Sequence, residues 1–220
     1  MSIKKIGLIL IFVICLSLLS FISIKANKLP LMGKIIYIDP GHGGVDPGSI
    51  YKDIYEKDIN LQICLKLQSF LEKEGATVYL TRDGDYDLSS PKALYRKKSD
   101  LNNRVKIINS SKADLYISIH LNSTNSKTWY GAQVFFDDVN KENKKIAEIM
   151  QKHLQADLDT DRQVEEISTM LLNRKVIIPG VLIEVGFLSN GNERYLLRKE
   201  DYQNKISKSI TKGVIEYFNK

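Results

Sequence analysis

Hydrophobic positions along the chain follow two repeating patterns, which predict alternating strands and helices. In the segment after Glu56, for example, Ile59, Ile63 and Leu67 recur at helical spacing and share one face. Amphipathic patterns of this kind predict helices at Glu56–Glu74, Leu94–Ser110, Lys141–Leu158 and Asp201–Phe218. Short apolar or alternating runs bounded by turn residues predict strands at Lys34–Ile38, Thr77–Thr81, Asp114–Leu121, Ala132–Phe136 and Val181–Val185. Strands separated by helices predict an α/β fold, in which helices flank both faces of a mostly parallel or mixed sheet.

The amino terminus carries a separate, strongly apolar segment. Lys4 and Lys5 precede Ile6–Ile24, a run without any charged residue. A helix needs roughly 20 apolar residues to cross a bilayer, and lysines before such a helix keep the amino end in the cytoplasm. Residues 1–26 are therefore predicted to be a membrane anchor or signal segment. An uncleaved anchor is favoured, because the residues after the run make a poor small-x-small cleavage site. Residues 33–220 are predicted to form one domain outside the cytoplasm.

Charge and cysteine usage exclude several classes of protein. The formal net charge is +6, but half of it comes from lysines in residues 1–26, a segment without acids. The rest of the chain has no basic stripe interleaved with aromatic residues, which argues against nucleic acid as a partner. Of the two cysteines, Cys15 lies in the apolar run and Cys64 in a predicted helix, so the folded domain cannot form an internal disulfide. Cys64 is expected to be a small buried apolar residue.

Three polar residues at the ends of predicted elements have the composition of a catalytic zinc site. His42 follows the first strand in a glycine-rich loop, Glu56 opens the first long helix, and His120 ends the third strand. Functional side chains of α/β sheets cluster just beyond strand ends. Two imidazoles and one carboxylate are a known set of zinc ligands that leaves a fourth position for water. On spacing alone, His42 could instead be a turn histidine without a ligand role, and His153 is expected on a solvated helix surface.

A further candidate, Glu184, lies within the apolar strand predicted at Val181–Val185. An ionised carboxylate is costly in such a strand unless it is paired or functional. Either the side chain escapes to the rim of the sheet, or it is a general base whose pKa is raised by burial. The charged residues Arg82, Asp83 and Arg104 are expected to be solvated or to form salt bridges.

Six short blocks occur in an order that is typical of one enzyme family. The blocks are Ile38–Gly44, Glu56–Asp58, Thr81–Asp83, Leu101–Arg104, Ser118–Asn122 and Glu184–Asn190. With them the chain resembles the zinc-dependent N-acetylmuramoyl-L-alanine amidases of the amidase 3 type, from about residue 33 to residue 220. The resemblance implies a catalytic amidase domain with a sheet of about six strands. It also implies hydrolysis of the amide bond between N-acetylmuramic acid and L-alanine in peptidoglycan.

The same resemblance implies roles for individual residues. His42, Glu56 and His120 would bind Zn²⁺, and Glu184 would be the catalytic glutamate. Asn122 is a candidate donor to the oxyanion or the substrate. No cofactor besides zinc is implied.

Other features are most similar to the spore-cortex members of the family. They are the apolar amino-terminal segment, the lack of wall-binding repeats, and the sequence Leu115–Asn122 followed by Trp129–Gln133. This similarity implies a role in making muramic-δ-lactam, which a separate deacetylase completes, and hence in spore germination. In a spore-former the protein would act between the forespore and mother-cell membranes, as an anchored or secreted protein.

Two other functions fit parts of the sequence. The same ligand set serves zinc peptidases, so cleavage within peptidoglycan stem peptides is the first alternative. A non-catalytic wall-binding module is the second, although it predicts the loss of a ligand or of Glu184, and all four residues are present. A three-ligand zinc site that is open on one side is also compatible with a regulatory or activating protein partner that stabilises metal binding.

Overall fold

The computed structural model describes residues 5–14 and 29–220. Residues 5–14 form helix α1. The predicted anchor, Ile6–Ile24, continues past this helix into residues that lie outside the described ranges. Within those ranges, no helix combines the length and the apolar character needed to cross a membrane. The assignment of residues 1–26 to an anchor or signal segment therefore stays a prediction.

Helices and strands alternate along the described part of the chain. The helices after α1 are α2 (Glu56–Lys73), α3 (Arg96–Asn109), α4 (Asn143–Asp157), α5 (Leu171–Lys175), α6 (Gly191–Leu197) and α7 (Glu200–Asn219). The strands are β1 (Ile35–Pro40), β2 (Ile50–Tyr51), β3 (Ile54–Tyr55), β4 (Thr77–Leu80), β5 (Leu115–Asn122), β6 (Gln133–Phe136), β7 (Glu165–Glu166) and β8 (Gly180–Phe187). Every predicted helix and strand is present, and no predicted end is displaced by more than two residues.

Six of these strands form a central sheet in the order β4-β1-β5-β8-β6-β7. The pairs β4–β1, β1–β5 and β5–β8 are parallel, whereas β6 is antiparallel to β8 and β7 is parallel to β6. The predicted α/β fold with a mostly parallel, mixed sheet of about six strands is thus confirmed. The remaining strands, β2 and β3, pair with each other as a short hairpin.

Helices flank both faces of the sheet, and each face has its own apolar core. Helices α2 and α4 pack against the strands on one face, and α7 packs against both helices. Ile119 of β5 and Ile183 of β8 belong to the large core on this face. On the other face, α3 and α5 contact each other over a smaller cluster that includes Tyr116 and Leu172. Because successive strand residues point to opposite faces, the neighbours of Ile119 and Ile183 point away from the large core.

The sequence patterns missed the shortest elements. The hairpin β2–β3 and the edge strand β7 consist of strands of two residues each, and α5 and α6 have five and seven residues. Such lengths are too short to display a repeating pattern of apolar positions. Strand β7 is also made of two exposed glutamates, so its pairing with β6 gives no apolar signal.

Candidate active site

The first candidate ligand, His42, lies in the loop that follows β1 at the carboxyl edge of the sheet. Its backbone has φ +63°, a left-handed conformation that is uncommon for residues other than glycine. The ring Nδ1 lies 3.0 Å from Oδ2 of Asp46, which leaves Nε2 facing Glu56 at 3.1 Å. Asp46 in turn accepts a hydrogen bond from the backbone N–H of Gly48. Asp46 therefore fixes which ring nitrogen of His42 points into the site.

The buried guanidinium of Arg104 forms hydrogen bonds with the backbone of this loop. Arg104 of α3 is 1% exposed and donates to the carbonyl oxygens of Pro40 and His42, at 2.8 and 2.6 Å. It also forms salt bridges to Asp39 at 2.8 Å and to Asp100 at 2.9 Å. Burial disfavours the charge on Asp39, but Arg104 outweighs this effect and lowers the pKa of that carboxyl to about 2. The predicted salt-bridge role of Arg104 agrees with this arrangement.

A second buried guanidinium, that of Arg82, has a different role from the predicted one. Arg82 is 1% exposed, and in the described part of the chain its hydrogen bonds all go to backbone carbonyls. The acceptors are Pro40, Gly41, Lys57 and Gly84. Arg82 is thus shielded from solvent and forms no salt bridge with any described residue, because it satisfies the carbonyl groups of an irregular, buried loop. Loss of its contacts would release the backbone on either side of the site.

The second candidate ligand, Glu56, is the first residue of α2. Its Oε1 accepts hydrogen bonds from the backbone N–H of Leu121 at 3.0 Å and from Asn60 at 3.2 Å. Its Oε2 accepts one from the backbone N–H of Ser49 at 2.9 Å. Burial disfavours its ionised form, but hydrogen bonds to His120 and His42 outweigh burial and hold the pKa of Glu56 well below its usual range. The positive end of the α2 dipole also favours a carboxylate here.

The third candidate ligand, His120 on β5, completes a compact cluster. Its Nδ1 lies 3.1 Å from Oε1 of Glu56, and its ring meets that of His42 edge to face at a centroid distance of 4.9 Å. One donor atom from each of the three residues lies within 4.8 Å of the others. Two ring nitrogens and a carboxylate oxygen that converge in this way could hold one metal ion.

Two glycines allow the cluster to be this tight. A Cβ on Gly41 would lie 2.5 Å from Nε2 and 2.6 Å from Nδ1 of His120. A Cβ on Gly48 would lie 2.7 Å from both Oε2 of Glu56 and Cδ2 of His42, at a backbone φ of +67°. The glycine-rich loop seen in the sequence is therefore a steric requirement of the cluster as well as a turn.

Glu184 lies beside the cluster, paired in register with His120 across β5 and β8. It does not escape to the rim, because it is only 8% exposed. Its Oε2 is buried and has no hydrogen-bond partner among the described residues. Burial, reinforced by the charge of Glu56, raises the pKa of Glu184 well above its usual range. A carboxyl whose pKa is raised is a better proton acceptor than an exposed carboxylate, which is the property that a general base needs.

A single cavity of about 410 Å³ joins these groups. Its lining includes all three candidate ligands, Glu184 and Asn122, the last residue of β5. The structure thus brings every residue singled out as a site candidate to one cavity. His153, by contrast, lies on α4, where its Nε2 is 2.7 Å from Glu216. Cys64 is fully buried in the large core, as expected.

Sequence reasoning missed the residues that support the ligands. Asp46 lies only four positions after His42, and this short separation in the sequence could have indicated that the two side chains are in contact. Arg82 and Arg104 gave no comparable signal, because their carbonyl partners in the loop after β1 lie 41 to 64 positions away in the chain.

Comparisons with known proteins agree with the geometry. The family model described as N-acetylmuramoyl-L-alanine amidase matches residues 36–216. The germination-specific N-acetylmuramoyl-L-alanine amidase of Bacillus subtilis is 46% identical over 198 residues, which cover 88% of this chain and 84% of the relative. The catalytic domain of CwlV, an amidase from Bacillus (Paenibacillus) polymyxa var. colistinus, superposes with a TM-score of 0.75 at 34% identity and covers 84% of this chain and 98% of that one.

A structure of the CwlD amidase from Clostridioides difficile, solved in complex with the GerS lipoprotein, is also similar. It superposes with a TM-score of 0.82 at 38% identity, over 85% of this chain and 99% of that one. Since the family model spans most of the chain and these relatives are aligned over nearly their full lengths, the chain belongs to the N-acetylmuramoyl-L-alanine amidase family.

Proposed function

We propose that this chain hydrolyses the amide bond between the lactyl group of N-acetylmuramic acid and L-alanine, with a zinc ion held by His42, Glu56 and His120. The observation that carries the proposal is the position of Glu184. Its unpartnered, buried carboxyl oxygen lines the same cavity as the three convergent donors. A carboxyl so placed has no evident structural use, whereas a hydrolase needs a proton acceptor there.

The donor set fits zinc better than a hard cation. Two imidazole nitrogens and a single carboxylate oxygen are typical of catalytic zinc sites, whereas Ca²⁺ and Mg²⁺ prefer shells of oxygen atoms. Contacts from Asp46 and Asn60 orient His42 and Glu56, as partners of metal ligands usually do. When bound, zinc would polarise the scissile carbonyl and lower the pKa of water.

The proton transfers fall to Glu184. Its raised pKa allows Oε2 to accept a proton from the attacking water and then to deliver it to the leaving nitrogen of L-alanine. The products are a free lactyl carboxylate on the glycan and a stem peptide with an alanine amino end. For Asn122, which ends β5 and lines the same cavity, we propose a donor role from its side-chain amide to the developing oxyanion.

The relatives support the biological setting that we propose for this chain. A chain similar to a germination-specific amidase fits a role in forming muramic-δ-lactam in the spore cortex, and hence in spore germination. An anchored or secreted protein in the space between the forespore and mother-cell membranes fits the predicted segment at residues 1–26. Since the similar CwlD amidase was solved with a lipoprotein, an extracytoplasmic lipoprotein is the class of partner that we propose for this chain.

The decisive experiment combines zinc content with analysis of the peptidoglycan products. The unsubstituted protein should bind one zinc per chain and release stem peptides that begin with a free L-alanine amino group. Glu184→Gln should keep its zinc and lose hydrolysis by roughly a hundredfold to ten-thousandfold. His120→Ala should lose both zinc and activity, and Glu166→Gln, at the exposed edge strand, is the matched control.

Three results would contradict the proposal. Full activity of Glu184→Gln with zinc bound would remove its role as the proton acceptor. Cleavage products that begin at a later stem residue would identify the peptidase alternative. Mass spectrometry distinguishes these products from the stem peptides that an amidase releases. Zinc binding without any cleavage of wall material or purified muropeptides would favour a module that does not catalyse this reaction.

A further inference from the structure

A second, smaller cavity adjoins the cavity of the proposed zinc site. Its volume is about 270 Å³. Five residues line both cavities, namely His42, Asp46, Lys97, His120 and Met170. Two of the three candidate zinc ligands therefore separate the reacting centre from this second space, and a substrate group in it would lie directly beside the metal.

Apolar side chains make up most of the lining of the second cavity. Leu182 of β8 and Leu172 of α5 are buried, with 2% and 5% of their surface exposed. Leu101 of α3 and Leu171 of α5 are half-buried. The cavity thus lies between the sheet and the two helices of the smaller core, and we call it the apolar pocket.

The charged groups around the apolar pocket are balanced within the chain. Arg104 forms salt bridges to Asp39 and Asp100, and Nζ of Lys97 lies 3.4 Å from Asp46. These pairs leave the pocket without an evident attraction for an ion. An apolar group that enters it exchanges water for contacts with leucine and methionine side chains, which is favourable.

The position of Leu182 relative to Glu184 indicates which part of the substrate reaches the pocket. The two residues are two positions apart on β8, so they point to the same face and lie about 7 Å apart. A nitrogen that receives a proton from Glu184 lies about 3 Å from its carboxyl oxygen. The side chain of the residue that carries this nitrogen begins two bonds further on, within reach of Leu182.

We propose that the apolar pocket binds the side chain of the stem-peptide residue whose nitrogen is released, and that it favours apolar side chains larger than the methyl group of L-alanine. Leu101 and Leu171 are then specificity-determining residues. The proposal rests on the amidase function proposed above. It adds an activity toward amides of larger apolar residues.

The size of the pocket carries the second part of the proposal. A water molecule, which is comparable in size to a methyl group, has a share of about 30 Å³ in the liquid. The pocket volume of about 270 Å³ is several times larger. L-alanine would therefore leave much of the pocket unfilled, and a longer side chain would bury additional methylene groups against its leucines.

The test is a series of substrates for the zinc-loaded full-length protein. Short glycan strands carry stem peptides that begin with glycine, L-alanine, L-2-aminobutyrate or L-norvaline, and kcat/KM is measured for each. Each added methylene that is buried should raise kcat/KM about fourfold, so L-norvaline should exceed L-alanine by about sixteenfold. Equal values along the series, or a fall beyond L-alanine, would overturn the proposal.

Two variants locate the effect in the apolar pocket. Leu101→Trp fills part of the pocket from α3, and Leu171→Trp fills part of it from α5. Each should lower the norvaline-to-alanine ratio below fourfold. Ile107→Trp is the matched control, because Ile107 lies on α3 but lines a different cavity, beside Tyr37 and Tyr79. The control should keep the ratio of the unsubstituted protein, and an unchanged ratio in both pocket variants would refute the assignment.

The ratio between substrates does not depend on the fraction of folded enzyme, so it separates specificity from stability. A flat series together with a roughly fourfold loss for a glycolyl substrate would place the lactyl methyl group in the pocket and overturn the proposal. If no substrate were cleaved, the amidase function would fail, and calorimetry with N-acetylmuramoyl-L-alanine and N-acetylmuramoyl-L-norvaline would then decide. Tighter binding of the norvaline compound that Leu101→Trp abolishes would support the pocket, and equal binding would refute it.

Discussion

Replacement of Gly41 by alanine adds one methyl group at the tightest point of the proposed zinc site. The added Cβ would lie 2.6 Å from Nδ1 of His120, whereas ordinary contacts begin at 3.4 Å. The backbone cannot easily retreat, because its N–H donates to Ile119 and its carbonyl accepts from Arg82. The imidazole must therefore move.

The size of this movement decides the outcome. Relief of the contact from 2.6 to 3.4 Å displaces the ring nitrogen by about 0.8 Å, four times the ±0.2 Å tolerance of a metal–ligand bond. Loss of orientation around a metal usually weakens binding tenfold to a hundredfold, so Gly41→Ala should weaken zinc binding at least tenfold. Gly41 has no left-handed backbone angle, so strain of the main chain does not contribute.

Zinc affinity is measured by competition with a chromophoric chelator, and thermal unfolding of the metal-free protein is measured beside it. Gly191→Ala is the matched control, since the nearest atom to its Cβ would be Nη2 of Arg194 at 3.7 Å. The control should bind zinc like the unsubstituted protein. A zinc dissociation constant of Gly41→Ala within twofold of that of the unsubstituted protein would refute the prediction. It would mean that His120 is not a ligand or that its ring can move without loss of zinc binding.

Three further predictions concern the groups that support the ligands. Asp46→Asn should raise the zinc dissociation constant by roughly tenfold to a hundredfold, because His42 loses its orienting carboxylate, and an unchanged constant in the same competition assay would refute that role. Arg104→Met should lower the free energy of unfolding by about 3–5 kcal/mol in urea, since it leaves the buried carboxylate of Asp39 unpaired; a smaller loss in Asp39→Asn/Arg104→Met would confirm the cause. The lowered pKa of Asp39 stabilises the folded protein by about 2 kcal/mol above pH 3.8, and this stabilisation is lost as the pH falls through about 2. The free energy of unfolding of metal-free Asp39→Asn should therefore lack this part of the dependence on pH. An acid dependence identical to that of the unsubstituted protein would contradict the prediction.

The main helices and strands could be predicted because each is long enough for its apolar positions to repeat at the spacing of a helix or a strand. The positions of His42, Glu56 and His120 at element ends were equally visible, since a parallel sheet brings such ends to one edge. Glu184 stood out for a different reason, namely the cost of a carboxylate within an apolar strand. Each of these signals is local in the sequence.

The supporting contacts could not be predicted, because they join residues that are distant in the chain. Arg82 binds carbonyls of a loop about 40 positions earlier, and a carbonyl is present at every residue. The contact of Arg162 with Gln133 depends on the two-residue strand β7, which places the segment after α4 beside β6.

The two buried arginines connect the stability of the fold to the geometry of the site. The loop after β1 has no regular structure, so its carbonyl groups find no partners in a helix or sheet, and the guanidinium groups of Arg82 and Arg104 satisfy them instead. A guanidinium has donors in a fixed plane and keeps its charge, so it sets both the path of the backbone and the direction of the His42 side chain. A flexible loop could carry His42 as well but would lose conformational entropy whenever it bound metal. In this chain the loop is ordered by folding, through Asp39 and Arg104, before metal is needed.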